Sequence, residues 1–415
     1  MIWRTLANTP CKSLGSARLC AVRVVLVVPG GVDPPGSVRV IPFIHDLVQR
    51  LAANNDVTVI AIGHDATPRE WQLFGCRVVN VPIGDHSRGD VLRALRSVVH
   101  IIGVGPRPDV IHGFWAGVTG LAAGVAGRRF RVPSVVTLCG GELATIAEIG
   151  YGGGLTGGSR LLARTALRLP TITTAATEWM KVHAAQAGAR IDELVPLGAD
   201  SSRFTPTAPG TDVHSNSGGA HIVQVASLNA VKDQDLALHA FARVLDARPD
   251  TTFTLAGVDT LNGSHQALAD QLGISGAVRF AGFVQPNLLP ELYRSATVHL
   301  NTSWHDAGPL AVLEAALCGV PTVGTRVGHV ADFAALPDPC AVVAEHNADA
   351  VAAGVLRLLD NPAQGSAIAS RAHDWATAHD ADFTADAFSA IYRRLAAKSS
   401  SASAAASGEV PRRNT

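Results

Sequence analysis

Two acids, Asp306 and Glu314, stand with seven residues between them in the stretch Ser303–Gly328, SWHDAGPLAVLEAALCGVPTVGTRVG. Asp306 falls in a loop with Gly308 and Pro309, just after an apolar run, Thr297–Leu300, that reads as a buried strand. Glu314 falls in a helical pattern, with Leu310, Leu313 and Leu317 spaced by three and four residues. A helix beginning near Gly308–Leu310 presents free backbone N–H groups, which suit a phosphate. Carboxylates on either side of that helix start suit hydroxyl groups. A ligand with both chemistries, such as a nucleotide sugar, fits all three. The plain alternative is an ordinary helix start with an acid near its positive dipole end.

A second group lies in Val225–Gln234, VASLNAVKDQ. Its loop leaves a strand and enters a helix with Asp233 in the N-cap region, so Lys232 stands at the mouth, where an ammonium can meet a diphosphate. A solvated loop lysine is the alternative. Asp233-Gln-Asp235 has a metal-like D-x-D form, but capping explains both acids at a helix start. The chain has no C-x-x-C and no H-E-x-x-H, and no metal site is expected.

These groups need strands to aim them. Apolar runs at Val22–Val28, Val57–Ile62, Arg77–Val81, Asp109–His112, Pro133–Leu138 and Thr171–Ala175 alternate with helical patterns such as Val38–Ala53 and Asp90–Ile102. The order restarts with strands at Ala220–Ala226, Thr252–Ala256, Val278–Ala281, Val298–Asn301, Pro321–Gly324 and Ala341–Val343. Such alternation predicts an α/β chain of two doubly wound parallel sheets, joined by a polar linker near Pro196–Ser217. Ligands of such sheets sit at the carboxyl ends of the strands, so the site belongs in the cleft between them.

On the first unit's side of that cleft, Gly30 and Gly31 follow the first strand, where missing side chains allow a turn or a close backbone approach to phosphate or acceptor. His112 ends a strand and is expected to face the cleft, with a satisfied core histidine as the alternative. Cys139, Gly140 and Glu142 follow Pro133–Leu138, and Glu148–Gly154 is a mobile glycine-rich loop, either an acceptor lid or a plain loop. Arg160, Arg164 and Arg168 form one helical stripe, either a solvated face or a peripheral membrane contact.

With 415 residues, 47% hydrophobic and 16% charged, the chain is globular and long enough for two cores. Net charge is zero, but residues 1–200 hold 20 Lys+Arg against 14 Asp+Glu, leaving the remainder equally acidic. A basic first half suits an anionic acceptor or surface, or is an ordinary solvated face. Six scattered cysteines suit a reducing cytoplasm. The N-terminus has no secretory pattern, and the apolar stretch Val110–Gly127 is too short and too glycine-rich to span a membrane.

The stretch around Asp306 resembles the donor signature of retaining GT-B glycosyltransferases of family 4: Glu, seven residues, Glu, a small-residue helix and G-x-P. Asp306 stands for the first Glu, and Glu314-Ala-Ala, Gly319-Val-Pro321 and Val327-Gly328 follow the pattern. Leu194–Pro206 resembles the family's hinge, with Ala199 for Val. Ser227 stands where the family has an arginine, and Cys139 where it has a histidine. The resemblance spans Val22–Ala397.

It implies a GT-B fold with an extension at 1–21, an acceptor domain at 22–200, a donor domain at 201–380, a helix crossing back at 381–397 and a disordered tail at 398–415. It further implies retaining, metal-free transfer of a hexose-type sugar from a GDP- or UDP-linked donor to a lipid, saccharide or small-molecule acceptor, without a cofactor. Asp306, Lys232 and His112 are the implied catalytic residues. Glu314, Ser227, Gly308, Pro309, Leu310, Gly282, Phe283 and Val284 are the implied donor contacts, with Glu314 on the ribose and Gly282–Val284 at the base. The rivals are a non-catalytic nucleotide-sugar binder and a GT-B epimerase. A Rossmann dehydrogenase is disfavoured by the missing glycine fingerprint.

Overall fold

The computed structural model describes residues 21–37, 39–85, 87–207 and 219–407; the N-terminal extension up to residue 20, part of the linker (208–218) and the last tail residues (408–415) lie outside the described residues. The first unit strings β1 (Arg23–Val28), α1 (Pro42–Asn54), β2 (Asp56–Ile62), β3 (Arg69–Leu73), β4 (Cys76–Val81), α2 (Arg88–Val104), β5 (Val110–Phe114), α3 (Val118–Phe130), β6 (Ser134–Leu138), α4 (Gly157–Arg168), β7 (Ile172–Ala175), α5 (Glu178–Gln186) and β8 (Glu193–Leu194). Its sheet order is β3-β4-β2-β1-β5-β6-β7-β8. β1 is the middle strand, paired in parallel with β2 and β5, and helices cover both faces. That explains why its sequence, RVVLVV, is continuously apolar rather than alternating.

The second unit strings β9 (His221–Val225), α6 (Gln234–Ala247), β10 (Thr252–Ala256), α7 (Ser264–Gln271), β11 (Val278–Gly282), α8 (Leu289–Arg294), β12 (Val298–Asn301), α9 (Leu310–Leu317), β13 (Thr322–Thr325), α10 (Gly328–Ala335), β14 (Val342–Ala344), α11 (Ala348–Asp360), α12 (Pro362–Ala378) and α13 (Ala381–Ser407). Its sheet, β11-β10-β9-β12-β13-β14, is parallel throughout. The order reverses at β9 and β12, so the loops after these two strands meet at a topological switch point.

Three local expectations give way. β3 is an antiparallel edge strand, joined to β4 by Phe74 and Gly75 at φ 51° and 79°. A two-residue turn with both φ positive suits a tight hairpin. Its sequence, REWQL, lacks the apolar run by which the buried strands are recognised. α1 starts at Pro42 rather than Val38, because Val32 and Val40 bridge and Ile41 N–H donates to the Gly31 carbonyl at 2.9 Å. α13 continues to Ser407, past the irregular tail expected from Lys398, since the Ser/Ala run has no helix breaker before Gly408.

α13 returns to the first unit, where Phe388, Ile391, Tyr392 and Leu395 join the core of β1, β2 and α1. The crossing is fixed at the hinge. Thr384 Oγ1 donates to the Pro196 carbonyl at 2.7 Å and accepts from Gly198 N–H at 2.8 Å. Arg203 pairs with Asp46 at 3.0 Å, and Arg50 with Asp200 at 3.2 Å. No helix among the described residues is long and apolar enough to cross a membrane.

A Cβ on Gly198 would lie 2.2 Å from the carbonyl carbon of Asp380. Gly198→Ala is therefore expected to destabilise the chain by about 1–3 kcal/mol, read as a lower urea midpoint.

Candidate functional site

The site is built on the loops after β9 and β12. Asp233 caps α6, its carboxylate accepting from Leu236 N–H at 3.1 Å, so it is occupied as a cap. Thr302 follows β12, and its hydroxyl meets the carbonyls of Lys232 at 3.0 Å and Asp233 at 2.8 Å. Trp304 N–H donates to the Val231 carbonyl at 2.9 Å. These bonds staple the two loops together and bring the Lys232 ammonium into an ion pair with the Asp306 carboxylate. The pair borders a cavity of about 180 Å³, also lined by Gln224, Asn301, Pro309 and Leu310. Pro309 stands at the N-cap of α9 with no side-chain cap and no acid in the first turn, which leaves helix-start amides beside the cation.

Glu314, one turn further along α9, is buried and accepts from the Tyr293 hydroxyl at 2.8 Å. Burial pushes its carboxyl up to about 7, with the Tyr293 bond opposing. Gly282, Phe283 and Val284 follow at the end of β11, two strands from β9. Phe283 is 39% exposed there. These three lie outside the lining of the cavity. Ser227 is exposed, and its carbonyl accepts from the Gln234 side chain at 3.2 Å.

The first unit closes on this loop. Thr177 Oγ1 donates to the Ala307 carbonyl at 2.7 Å. Asp332 of α10 accepts from Glu178 N–H at 2.8 Å and Trp179 N–H at 2.9 Å, capping α5 from the opposite unit. A Cβ on Gly308 would sit 2.9 Å from the Ala176 methyl, so this glycine is required for the close approach. His305 lies between Tyr151 and Trp179, at 5.9 and 5.2 Å between ring centroids, and burial lowers its pKa to about 4. The reading of the sequence missed Thr177, Asp332 and His305, because each acts through a partner in the other unit.

Sequence models of two families match the two units: "Glycosyl transferase 4-like domain" over residues 40–199 and "Glycosyl transferases group 1" over residues 212–375. The chain is a GT-B glycosyltransferase of the family 4 type. It is 29% identical over 367 residues to a D-inositol 3-phosphate glycosyltransferase of Acidothermus cellulolyticus, covering 81% of this chain and 80% of that protein. The fold is similar to sucrose-phosphate synthase from Thermosynechococcus elongatus, with a TM-score of 0.73 at 16% identity over 91% of this chain and 100% of that one. It is likewise similar to HepE of Anabaena in complex with UDP and glucose, with a TM-score of 0.70 at 16% identity over 90% and 100%.

Within the glycosyltransferase, several expected site residues have other occupations. His112 does not face the cleft. It is fully buried, with Nδ1 2.6 Å from the Tyr392 hydroxyl and Nε2 2.7 Å from Thr137 Oγ1, and burial lowers its pKa to about 3. It is a core residue that ties α13 to β5 and β6, so it leaves the catalytic set. Glu142 accepts from the backbone N–H groups of Ala116 at 2.8 Å, Gly140 at 2.7 Å and Cys139 at 3.3 Å, which makes it a loop staple rather than a free acceptor ligand. Burial, with Glu142 adding to it, holds the Cys139 thiol well above its usual range.

Gly30 and Gly31 take φ 88° and 69°. A Cβ on Gly31 would run into Ile41 at 2.2 Å, so local packing demands it. The glycine-rich loop is pinned rather than free: Gly153 N–H donates to the Gly141 carbonyl at 2.8 Å, and Arg160 to the Gly154 carbonyl at 2.8 Å. Arg160, Arg164 and Arg168 all remain exposed on α4. Arg164 and Arg168 also line a cavity of about 310 Å³ with Arg190.

Two measurements follow for the glycosyltransferase. His112→Ala should cost about 2–4 kcal/mol of stability by denaturant titration, while nucleotide affinity stays at the wild-type value. Glu314 has a folded pKa raised from 4.5 to about 7, so its stabilising contribution is complete below about pH 4.5 and is lost as pH rises through 7. Glu314→Gln should match wild type near pH 5 and exceed it near pH 8, by up to about 3 kcal/mol, in melting curves taken across pH.

Proposed function

We propose that this glycosyltransferase moves a hexose-type sugar from a UDP- or GDP-linked donor to a small polyol acceptor, with retention and without a metal, in the cytoplasm. The observation that carries this reading is the Lys232–Asp306 ion pair at the start of α9. An ammonium and uncapped helix amides converge on one cavity, which suits a diphosphate leaving group. A donor that enters competes for Lys232 and frees Asp306 to meet the sugar hydroxyls and the positive charge that develops on the sugar. Stabilising the departing diphosphate is the main electrostatic contribution. Glu314 holds ribose hydroxyls in this reading, supported by the family signature, and the contacts of Thr177 and Asp332 across the cleft exclude water when the units are closed.

A polyol acceptor is supported by the D-inositol 3-phosphate glycosyltransferase that covers four-fifths of its own length on this chain. A UDP-linked donor is supported by the complex of the Anabaena neighbour with UDP and glucose. Retention and metal independence are supported by the resemblance of Ser303–Gly328 to the family signature. A peripheral membrane contact through Arg160, Arg164 and Arg168 is supported by the exposure of all three on α4.

The test is calorimetric binding of UDP, GDP, UDP-glucose and GDP-mannose, with product analysis on inositol 3-phosphate. Lys232→Ala should weaken the preferred nucleotide about 10- to 100-fold. Asp306→Ala should abolish transfer while retaining nucleotide binding. A donor isomer appearing without acceptor would instead mark an epimerase. Binding of none of the four ligands would refute the donor site.

A further inference from the structure

Two amides form part of the wall of the cavity beside the Lys232–Asp306 pair, and neither belongs to the family pattern quoted above. Gln224 projects from β9 and Asn301 from the end of β12, with relative exposures of 2% and 7%. Each has one hydrogen-bonding atom without a partner: Gln224 Oε1, an acceptor, and Asn301 Nδ2, a donor. The orientation of Gln224 follows from its neighbours. Gln224 Nε2 donates to Thr302 Oγ1 at 2.9 Å, and that hydroxyl spends its own proton on the carbonyls of Lys232 and Asp233. A flipped Gln224 would set its oxygen against an oxygen with no proton left to give. Asn301 meets Ser303 Oγ at 2.8 Å, and because that hydroxyl can accept as well as donate, either end of the amide can serve as the free one.

A buried polar atom without a partner is costly, and such atoms are rare outside functional sites. Two of them, on residues that line one cavity, match a group that both donates and accepts. A hydroxyl does so; a phosphate oxygen at neutral pH only accepts and would be repelled by Gln224 Oε1. The cavity, about 180 Å³, is larger than one water requires. We infer that Gln224 and Asn301 together read one hydroxyl of the donor's sugar and so set which sugar is transferred. This rests on the nucleotide-sugar reading of the same cavity.

The experiment is calorimetric titration of wild type, Gln224→Met and Asn301→Leu with UDP, UDP-glucose, GDP and GDP-mannose, alongside the ligand-free melting temperature. Each variant should lose roughly 10- to 100-fold in affinity for the preferred nucleotide sugar while the matching free nucleotide stays within about threefold. Asn301→Leu should melt close to wild type, because it removes a partnerless polar atom together with the one bond to Ser303 Oγ. Equal losses for nucleotide and nucleotide sugar, or no loss for either, would overturn the inference and leave the donor reading intact. A wild type that binds none of the four would instead remove the donor reading and this inference with it. Should Gln224→Met fail to fold, Asn301→Leu decides alone.

Discussion

The ion pair between Lys232 and Asp306 depends on two loops from different strands being held in one position. Neither residue can set the geometry by itself, since each sits on a turn with few apolar contacts. Thr302 supplies the constraint by bonding two carbonyls of the preceding loop, and the backbone of Trp304 adds a third bond. Both loops rise from neighbouring strands, β9 and β12, where the strand order reverses. The opening there is a property of parallel-sheet topology, and the side chains exploit it.

The second unit alone would leave the Asp306 loop open to water on one side. The first unit covers it through contacts that are mostly backbone: a threonine hydroxyl on a carbonyl, an aspartate on two amides, and a glycine against a methyl. Such contacts are specific in geometry, and His305 adds ring packing against Tyr151 and Trp179. The permanent attachment lies elsewhere, at the hinge and along α13, where Phe388, Ile391, Tyr392 and Leu395 are buried in the first unit's core. Apolar burial thus holds the units together, while directional polar contacts shape the site.

Buried ionisable groups divide along the same line. His112 and His299 are pushed down to about 3 by burial and act as neutral hydrogen-bonding core residues. Glu142 is spent on three backbone amides. Glu314, near 7, has one hydroxyl partner, that of Tyr293. The unpaired amide atoms of Gln224 and Asn301 occur at the cavity rather than in the cores, where an unmet hydrogen bond would have no compensation.

Local sequence determined what local physics controls. Continuous apolar runs marked the buried parallel strands, the Leu310–Leu317 spacing marked α9, and the capping chemistry of Asp233 marked the start of α6. The spacing of Asp306, Glu314 and Gly319-Val-Pro321 identified the family type. Tertiary structure decided everything that depends on a distant partner. His112 looked like a cleft residue because it ends a strand; only Tyr392, 280 residues away, shows it to be core. Lys232 and Asp306 read as separate tools and prove to be each other's counterion across 74 residues. Asp332 had no signal in sequence, because the helix it caps begins 154 residues earlier. A side chain's local pattern reports the element that carries it, whereas its chemistry is set by whichever groups the fold places within hydrogen-bonding reach.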